Sequence, residues 1–268
     1  MPSLRSYRDR IKSVKSTRKI TTAMKLVAAS KLKKAQAQAE ASQPYAQAMA
    51  ETLARVAKNV AVSPSSSKLL VGTGSEEKHL IVVMAAERGL CGGFNANLVK
   101  EARKMVAELV AQGKQVQVVC AGAKARDNLQ RDMRSRIVQS FVGLVSKSGV
   151  SYAEAGKIRD YILDKFNAGE ADVVSLVYNE FKSILTQKPK RMQLIPFKMP
   201  EASQANDNSQ EIITEEQAAH STPNSPYDFE PDEQAILNAL LPLNLGVQIF
   251  RALLDTAAGE IGRASCRE

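Results

Sequence analysis

The N-terminal segment from Ser3 to Lys58 constrains the fold most, because its composition predicts one uninterrupted helix. It contains no glycine and one internal proline, Pro44, and it is rich in the helix formers Ala, Lys, Gln and Met. Apolar and small residues recur at three- and four-residue steps, which places them on one face. This seam comprises Leu4, Tyr7, Ile11, Val14, Thr17, Thr21, Met24, Ala28, Leu32, Ala35 and Ala39. A helix with such a seam needs a partner helix.

A second amphipathic region near the other end of the chain supplies that partner. Helix signals begin at Glu230, continue from Ala235 to Leu241, and resume from Leu243 to Ala258. Proline lacks an N–H group and clashes with the preceding turn, so Pro242 is expected to kink or interrupt this path. The sequence therefore predicts that helices from the two ends of the chain pair with each other.

Between these helices, strand patterns alternate with helix patterns. Several of the strands are apolar on both faces, which is typical of an open α/β sheet with mainly parallel pairing. The predicted strands and apolar stretches are His79–Ala86, Gln115–Ala121, Ile137–Leu144, Val173–Phe181 and Met192–Phe197, and the predicted helices are Asn95–Gln112, Ala123–Arg131 and Ser151–Asn167. We therefore predict a compact α/β domain inserted after the long helix.

Two stretches poor in large apolar residues separate these units. Val62–Lys78 is rich in Ser, Pro and Gly and predicts a linker. Met199–Tyr227 is rich in Asn, Ser, Gln, Glu and Pro and predicts a loose surface loop. The expected organisation is a helix over 1–60, a linker over 61–78, the α/β domain over 79–198, a flexible loop over 199–229 and a helix over 230–268.

The formal charge of +9 is concentrated near the N-terminus. Asp9 is the only acid in a basic block of Arg5, Arg8, Arg10, Lys12, Lys15, Arg18, Lys19, Lys25, Lys31, Lys33 and Lys34. Such a block indicates an interaction surface for an acidic protein, a nucleic acid or an anionic surface. Aromatic residues form only 5% of the chain, which disfavours nucleic acid. A transit peptide is a further alternative, but the ordered apolar spacing gives the block a structural use.

Cysteine and hydropathy patterns exclude several classes of protein. Cys91, Cys120 and Cys266 lie far apart, without a C-x-x-C pair or a nearby histidine, so neither a disulfide framework nor a metal site is expected. No stretch approaches the roughly 18 uninterrupted apolar residues of a membrane-spanning helix. We expect a soluble chain in a reducing compartment.

A glycine-rich loop, Glu87–Asn95, follows the first predicted strand and precedes a helix, where backbone amides can hold a phosphate. Gly89, Gly92 and Gly93 match neither G-x-G-x-x-G nor a phosphate loop that ends in Gly-Lys-Ser/Thr. A structural turn and a partner-contact loop both fit these residues, and nucleotide binding is the weakest reading.

No catalytic constellation is indicated. Cys91 lies near a helix start, which lowers a thiol pKa, but no base accompanies it, since the only histidines are His79 and His220. The carboxylates are scattered and are interpreted as solvated charges: Glu87, Glu101, Asp127 and Asp172. We therefore expect neither an enzyme nor a cofactor, although an enzyme with a Rossmann-type fold remains an alternative.

Three segments, in the right order, resemble the gamma subunits of F-type ATP synthases. Ile20–Leu32 is similar to their N-terminal helix, Arg88–Asn95 resembles their glycine loop, and Leu240–Leu254 is similar to their C-terminal shaft helix. Together the matches span nearly the whole chain. The resemblance implies an antiparallel coiled coil of the two termini with a Rossmann-like α/β domain near its foot.

The function implied by the resemblance is mechanical. Such a subunit is the central-stalk rotor, which turns inside a ring of three alpha and three beta subunits and couples proton translocation to ATP synthesis or hydrolysis. Its foot binds the epsilon subunit and the c-ring of the membrane sector. The resemblance thus implies these partners, no nucleic acid, and a peripheral position on the cytoplasmic face of a bacterial inner membrane.

The resemblance also implies partner-contact residues. On the N-terminal helix, Met24, Lys25, Lys31 and Lys33 are expected to face acidic beta-subunit segments. The loop expected to contribute to the foot comprises Arg88, Gly89, Leu90, Cys91, Gly92, Gly93 and Asn95. A basic shaft is attracted to acidic partners without a fixed direction, so it can be held in a bore without being locked at one angle.

One departure from the family concerns the end of the chain. The family's C-terminal helix runs on for several turns after Leu254, so a sequence that stops at Glu268 is expected to be truncated. The segment Ile261–Glu268 is expected to break the amphipathic pattern. The codon run ATC GGA AGA GCG TCG TGT AGG GAA would encode this segment and resembles a sequencing adaptor, and we hypothesise that the segment is not native. Native codons through Glu268 in genomic DNA would contradict this hypothesis.

Overall fold

The long N-terminal helix is present, and an α/β domain lies between it and a second long helix. The computed structural model of the chain describes residues 3–59, 67–146, 149–183, 186–197 and 233–265. The helices are α1 (Leu4–Asn59), α2 (Lys68–Val71), α3 (Phe94–Ala111), α4 (Ala123–Met133), α5 (Tyr152–Asn167) and α6 (Glu233–Ser265), with a 3₁₀ turn at Arg134–Arg136. The strands are β1 (Lys78–Met84), β2 (Gln115–Ala121), β3 (Ile137–Phe141), β4 (Val145–Ser146), β5 (Gly149–Val150), β6 (Val173–Phe181) and β7 (Gln187–Ile195).

The main sheet has the strand order β3-β2-β1-β6-β7. The first four strands are parallel and β7 is antiparallel to β6. The predicted open and mainly parallel α/β domain is therefore confirmed. The predicted loop Met199–Tyr227 lies outside the described residues, and the described part of the predicted linker contains the short helix α2.

Both faces of the sheet are covered by helices, which explains why its central strands are apolar on both faces. One face packs against α3 and α4, through residues such as Ile81, Leu98 and Leu129. The opposite face packs against α5 and α6, through residues such as Ile158 and Ile249. Hence α6 belongs to the core of the α/β domain as well as to the coiled coil.

The C-terminal region forms one continuous helix, so of the two outcomes expected at Pro242, a kink or an interruption, the interruption is wrong. A proline inside a helix costs about 3 kcal/mol. Leu237 and Leu241 are buried before Pro242, and Leu245 is buried after it. Burying each leucine contributes roughly 1.5–3 kcal/mol, so packing on both sides offsets the cost of the proline.

The helix also continues beyond the position where its pattern was expected to break. α6 extends to Ser265, and Arg263 Nε donates to Gln187 Oε1 at 2.6 Å. Residues 261–265 are therefore helical, and the expected break in the amphipathic pattern stays a prediction.

α1 and α6 pair in an antiparallel manner, as predicted. Met49 and Leu53 of α1 cluster with Leu237 and Leu241 of α6, whereas earlier residues of α1 lie beside later residues of α6. The pairing covers only the second half of α1, in which Leu32 is buried. The first half of the seam remains exposed, at Leu4, Tyr7, Ile11, Val14 and Met24. The first four of these residues lie a whole number of seven-residue repeats before the residues that pair with α6. They therefore lie on the same face of α1.

α6 is long and apolar enough to cross a membrane, with a mean hydropathy of 1.4 over the most apolar window of Ala235–Arg263. It packs against the sheet, α5 and α1. Burial on several sides requires an apolar helix surface. Packing inside the protein therefore accounts for the composition of α6.

The turn after β2 depends on a glycine. Gly122 has a φ of +97°, and an added Cβ would lie 2.1 Å from the Ala85 carbonyl oxygen. Gly113 has a φ of +77° with no heavy atom within 4 Å of an added Cβ. We expect Gly122→Ala to lower the free energy of unfolding by about 3 kcal/mol or more, since left-handed strain and a steric clash add. Gly113→Ala should cost about 1–2 kcal/mol. Urea unfolding of both variants tests this, and equal losses would contradict it.

Asp255 of α6 makes stability depend on pH. Burial raises the pKa of its carboxyl group to about 6, although Arg251 opposes the shift. The folded chain then binds this proton more tightly than the unfolded chain, so stability falls as pH rises from about 4 to 6. Relative to the unaltered chain, we expect Asp255→Asn to gain about 1–3 kcal/mol of unfolding free energy when the pH is raised from 4 to 7. Urea unfolding at both pH values measures the gain, with the exposed Asp164→Asn as the surface control.

Candidate functional site

The glycine-rich loop Glu87–Asn95 lies at the carboxyl end of β1. The strand order reverses at this strand, because β2 follows it on one side and β6 lies on the other. In open α/β sheets, ligands bind in the crevice at such a point. The contents of this crevice therefore decide what the domain can bind.

Two carboxylates and α6 occupy the crevice. Glu87 Oε1 accepts from the Leu144 N–H at 2.9 Å, and Glu87 Oε2 accepts from the Ala123 N–H at 3.1 Å. The Glu87 N–H donates to Glu260 Oε2 of α6 at 3.3 Å. Backbone donors that could hold a phosphate are thus bonded to carboxylates of the chain itself.

The inner half of the loop is a structural turn. Asn95 Oδ1 accepts from the Ala86 N–H at 3.1 Å, and Asn95 Nδ2 donates to Cys91 Sγ at 3.1 Å and to the Arg88 carbonyl at 3.5 Å. Asn95 and Cys91 are both buried. Leu90 adopts a left-handed φ of +67°, which this hydrogen-bonded turn maintains.

Cys91 is not an activated nucleophile. Burial raises the pKa of its thiol, and the nearby Glu260 carboxylate raises it further. Burial likewise raises the pKa of Glu260. Since the thiolate is the reactive form, these shifts keep Cys91 in its unreactive state.

Close packing joins the loop to α6. Phe94 is buried, and a Cβ added to Gly259 of α6 would lie 2.6 Å from the Phe94 ring. Asn179 Nδ2 of β6 donates to the Phe94 carbonyl at 3.1 Å. Because these contacts fill the space between loop and helix, the position of the loop is determined by α6.

The outer half of the loop faces α1 across a groove of about 470 Å³. Arg88, Gly89 and Leu90 are exposed, and Leu90 is 63% exposed. Met24 and Lys31 of α1 line the opposite side. The groove therefore combines an apolar lining with two cations, at the place where α1 leaves the α/β domain.

The structure brings part of the predicted contact set together. Met24, Lys31, Arg88, Gly89 and Leu90 line the groove. Gly92, Gly93, Lys25 and Lys33 are exposed, whereas the side chains of Cys91 and Asn95 are buried. The last two residues can influence a partner only through the conformation of the loop.

Two carboxylates that were interpreted as solvated charges are structural. Glu87 bonds two backbone amides, as described above. Asp172 is buried and accepts from the Thr73 hydroxyl at 2.8 Å and from the Lys78 N–H at 3.0 Å. Sequence reasoning missed both roles, and it missed Glu260, because their amide partners are distant in sequence and carry no side-chain signal.

The basic block forms a continuous exposed surface on α1. Every Lys and Arg from Arg5 to Lys34 is exposed. Within the described ranges, no group of three or more His, Cys, Asp or Glu residues is arranged to hold a metal ion.

Comparisons with known proteins agree with these features. A family model described as ATP synthase matches residues 3–264. The ATP synthase gamma chain of Granulibacter bethesdensis is 46% identical over 260 residues, which cover 97% of this chain and 84% of that relative. The gamma chain of Rhodospirillum rubrum is 44% identical over 263 residues, covering 98% of this chain and 85% of that relative.

Solved structures show the same fold. The Tetrahymena thermophila mitochondrial ATP synthase central stalk and c-ring structure contains a chain that matches with a TM-score of 0.63 at 22% identity, covering 92% of this chain and 96% of that chain. A chain in the Euglena gracilis mitochondrial ATP synthase rotor matches with a TM-score of 0.58 at 15% identity, covering 97% of this chain and 87% of that chain.

The role of Asn95 in the inner turn leads to a prediction. Asn95→Ala leaves the buried Ala86 N–H without its acceptor, which should cost about 2 kcal/mol of unfolding free energy. Loosening the turn should also speed labelling of Cys91 by a thiol reagent at least about tenfold, which corresponds to about 1.4 kcal/mol of easier opening. Measurements on a Cys266→Ser background, with the exposed Asn97→Ala as control, test this. Equal labelling rates in the two variants would contradict it.

Proposed function

The chain belongs to the ATP synthase gamma-chain family, and from this premise we propose that it is the central-stalk rotor of an F-type ATP synthase. In this role it couples proton translocation through the membrane sector to ATP synthesis or hydrolysis in a ring of alpha and beta subunits. The geometry of α1 is the observation that best supports this proposal. Its second half is fixed to the α/β domain through α6, while its first half extends away from that domain.

The dimensions of α1 suit a shaft. Its 56 residues correspond to roughly 84 Å at about 1.5 Å per residue. Helices in globular proteins average about 11–12 residues, and a helix of this length with an exposed half is costly to keep unless a partner surrounds it. We propose that this partner is the bore of the alpha–beta ring.

The charge of the exposed half supports the same arrangement. The basic block is exposed along α1 from Arg5 to Lys34, with Asp9 as its only acid. Long-range attraction between this surface and acidic walls depends weakly on rotation angle, which a turning shaft requires. Met24, Lys25, Lys31 and Lys33 are our proposed contacts with the beta subunits.

We propose that the exposed half of the glycine loop also contacts partners, where the shaft meets the α/β domain. Arg88, Gly89 and Leu90 are the residues of this loop that present their outer surface there. The α/β domain forms the foot, and its proposed partners are the epsilon subunit and the c-ring. Gly92 and Gly93 give the loop its shape, and Cys91 and Asn95 hold it from inside.

The chain is proposed to have no catalytic role of its own. The crevice in which this fold would hold a nucleotide contains Glu87, Glu260 and the packed helix α6. Catalysis by the complex would then take place on the ring subunits, and this chain would impose their conformations mechanically.

Membership of the family makes the chain a subunit of a membrane-associated complex. We propose that it is peripheral, on the cytoplasmic face of a bacterial inner membrane. The bacterial origin of the relatives described above supports this placement.

Assembly with purified ring subunits tests the proposal. The chain should co-purify with alpha, beta and epsilon subunits as a complex that hydrolyses ATP. The triple variant Lys25→Gln, Lys31→Gln, Lys33→Gln should bind the ring about tenfold more weakly at low salt, because exposed ion pairs contribute about 0.2–1 kcal/mol each. The difference should shrink as salt is added.

A triple variant with the same charge change elsewhere serves as control. Lys100, Lys104 and Lys188 lie exposed on the α/β domain, and their replacement by glutamine should leave the affinity for the ring unchanged. Equal losses in both triple variants would show that only net charge matters. Failure of the unaltered chain to form a complex would refute the proposed function.

A further inference from the structure

Small residues form part of the seam between α1 and α6. Its heptad positions on α1 include the small residues Ala28, Ala35, Ser42 and Ala46 beside the larger Leu32, Met49 and Leu53. Large side chains that insert between residues of a facing helix fix the rotation of one helix relative to another, and small ones do so weakly. Among the described elements, α6 alone packs extensively against α1. The seam therefore holds α1 close to α6, and its small-residue positions add little to the resistance against turning of α1 about its own axis.

A hydrogen bond attaches α1 to a part of the protein other than α6. Gln38 Nε2 donates to the Val150 carbonyl of β5 at 3.0 Å, and this hydrogen bond is partly buried. A Cβ added to Gly149 would lie 2.7 Å from Gln38 Oε1 and 3.6 Å from Gln38 Cδ. Gly149 has a φ of +118°, a conformation that favours glycine. The side-chain amide of Gln38 therefore lies directly against the backbone of a residue that has no side chain.

The strands contacted by Gln38 are firmly held. Val145 of β4 pairs with Val150 of β5, and the Ser146 hydroxyl donates to the Gly149 carbonyl at 2.9 Å. Val150 is buried in the core that includes α6, and so is Leu144, which directly precedes β4. The position of β5 is thus determined by the core of the α/β domain.

Hydrogen bonds continue from these strands to α6. The Leu144 N–H donates to Glu87, and the Glu87 N–H donates to Glu260 of α6. The Gln38 contact therefore closes a loop of interactions from α1 through β5, β4 and the loop residue Glu87 to α6 and back to α1. Turning α1 about its own axis would break the Gln38 hydrogen bond, so this contact opposes rotation in addition to the seam.

We propose that Gln38 is a positioning residue that fixes the rotational setting of α1 relative to the α/β domain, through its contact with Gly149 and Val150. The consequence of this contact for torque rests on the proposed rotor function. Torque passed between the foot and the exposed half of α1 would otherwise be partly lost as twisting of α1. Gln38 itself contacts no reacting group.

Distance measurements on the isolated full-length chain test the contact directly. Spin labels at Ala41→Cys on α1 and Gln130→Cys on α4 occupy exposed positions, on a Cys266→Ser background in which the other two cysteines are buried. We expect Gln38→Leu, which keeps the side-chain size and removes the donor, to broaden the distance distribution at least about 1.5-fold. Gln47→Leu, exposed on the same helix, should leave the width unchanged.

Two further variants separate positioning from loss of stability. Gly149→Ala should broaden the distribution by displacing the Gln38 amide, and its combination with Gln38→Leu should broaden it no further. Leu98→Ala removes a buried side chain of α3 on the opposite face of the sheet, away from the contact and from both labels, so it should lower thermal stability without changing the width. An unchanged width in Gln38→Leu, or equal broadening in Leu98→Ala, would overturn the proposal.

The assembled complex tests the role in torque. With the alpha–beta ring immobilised and a bead attached at Gln130→Cys, Gln38→Leu should increase the angular variance of the stalled rotor about twofold, with ATP hydrolysis within twofold of the unaltered complex. An unchanged variance would overturn the torque role. If the unaltered chain fails to assemble, the proposed function fails, and the spin-label distances still decide the Gln38 contact.

Discussion

The structure depends on the burial of α6 against two partners at once. One side of α6 completes the apolar core beneath the sheet, and another pairs with α1. Each fully buried leucine or isoleucine contributes roughly 1.5–3 kcal/mol, so these contacts outweigh the cost of about 3 kcal/mol for Pro242 inside the helix. Because one helix serves both units, the long helix and the α/β domain cannot move independently without opening the core.

The same helix changes what the α/β domain can do. At the crevice where a doubly wound sheet usually holds its ligand, Glu260 of α6 accepts a backbone hydrogen bond, and Gly259 allows Phe94 to pack against the helix. Glu87 uses both carboxylate oxygens on backbone amides. Contacts between α6 and the glycine-rich loop therefore lie at the place where such a sheet often binds its ligand.

The regular elements were predictable from the sequence because periodicity and burial agree in them, as at β2 and β6, whose bounds match the prediction. The continuity of α6 was not predictable, because the packing that offsets the cost of Pro242 involves residues distant in sequence. Three further features depend on tertiary neighbours that no local pattern reveals. They are the exposed first half of the seam, the hydrogen bonds of Glu87 and Asp172 to backbone amides, and the Gln38 contact. The contact residues carried over from the family remain predictions, and the groove brings five of them together.

The central claim, that α6 makes one rotating body of the helix and the domain, is tested most directly by watching the domain turn. A bead attached at the exposed Gln130→Cys of α4 would be followed while an immobilised alpha–beta ring with this chain at its centre hydrolyses ATP. The account predicts continuous rotation in one direction that stops when ATP is removed. A complex that hydrolyses ATP while the bead only fluctuates about a fixed angle would contradict it.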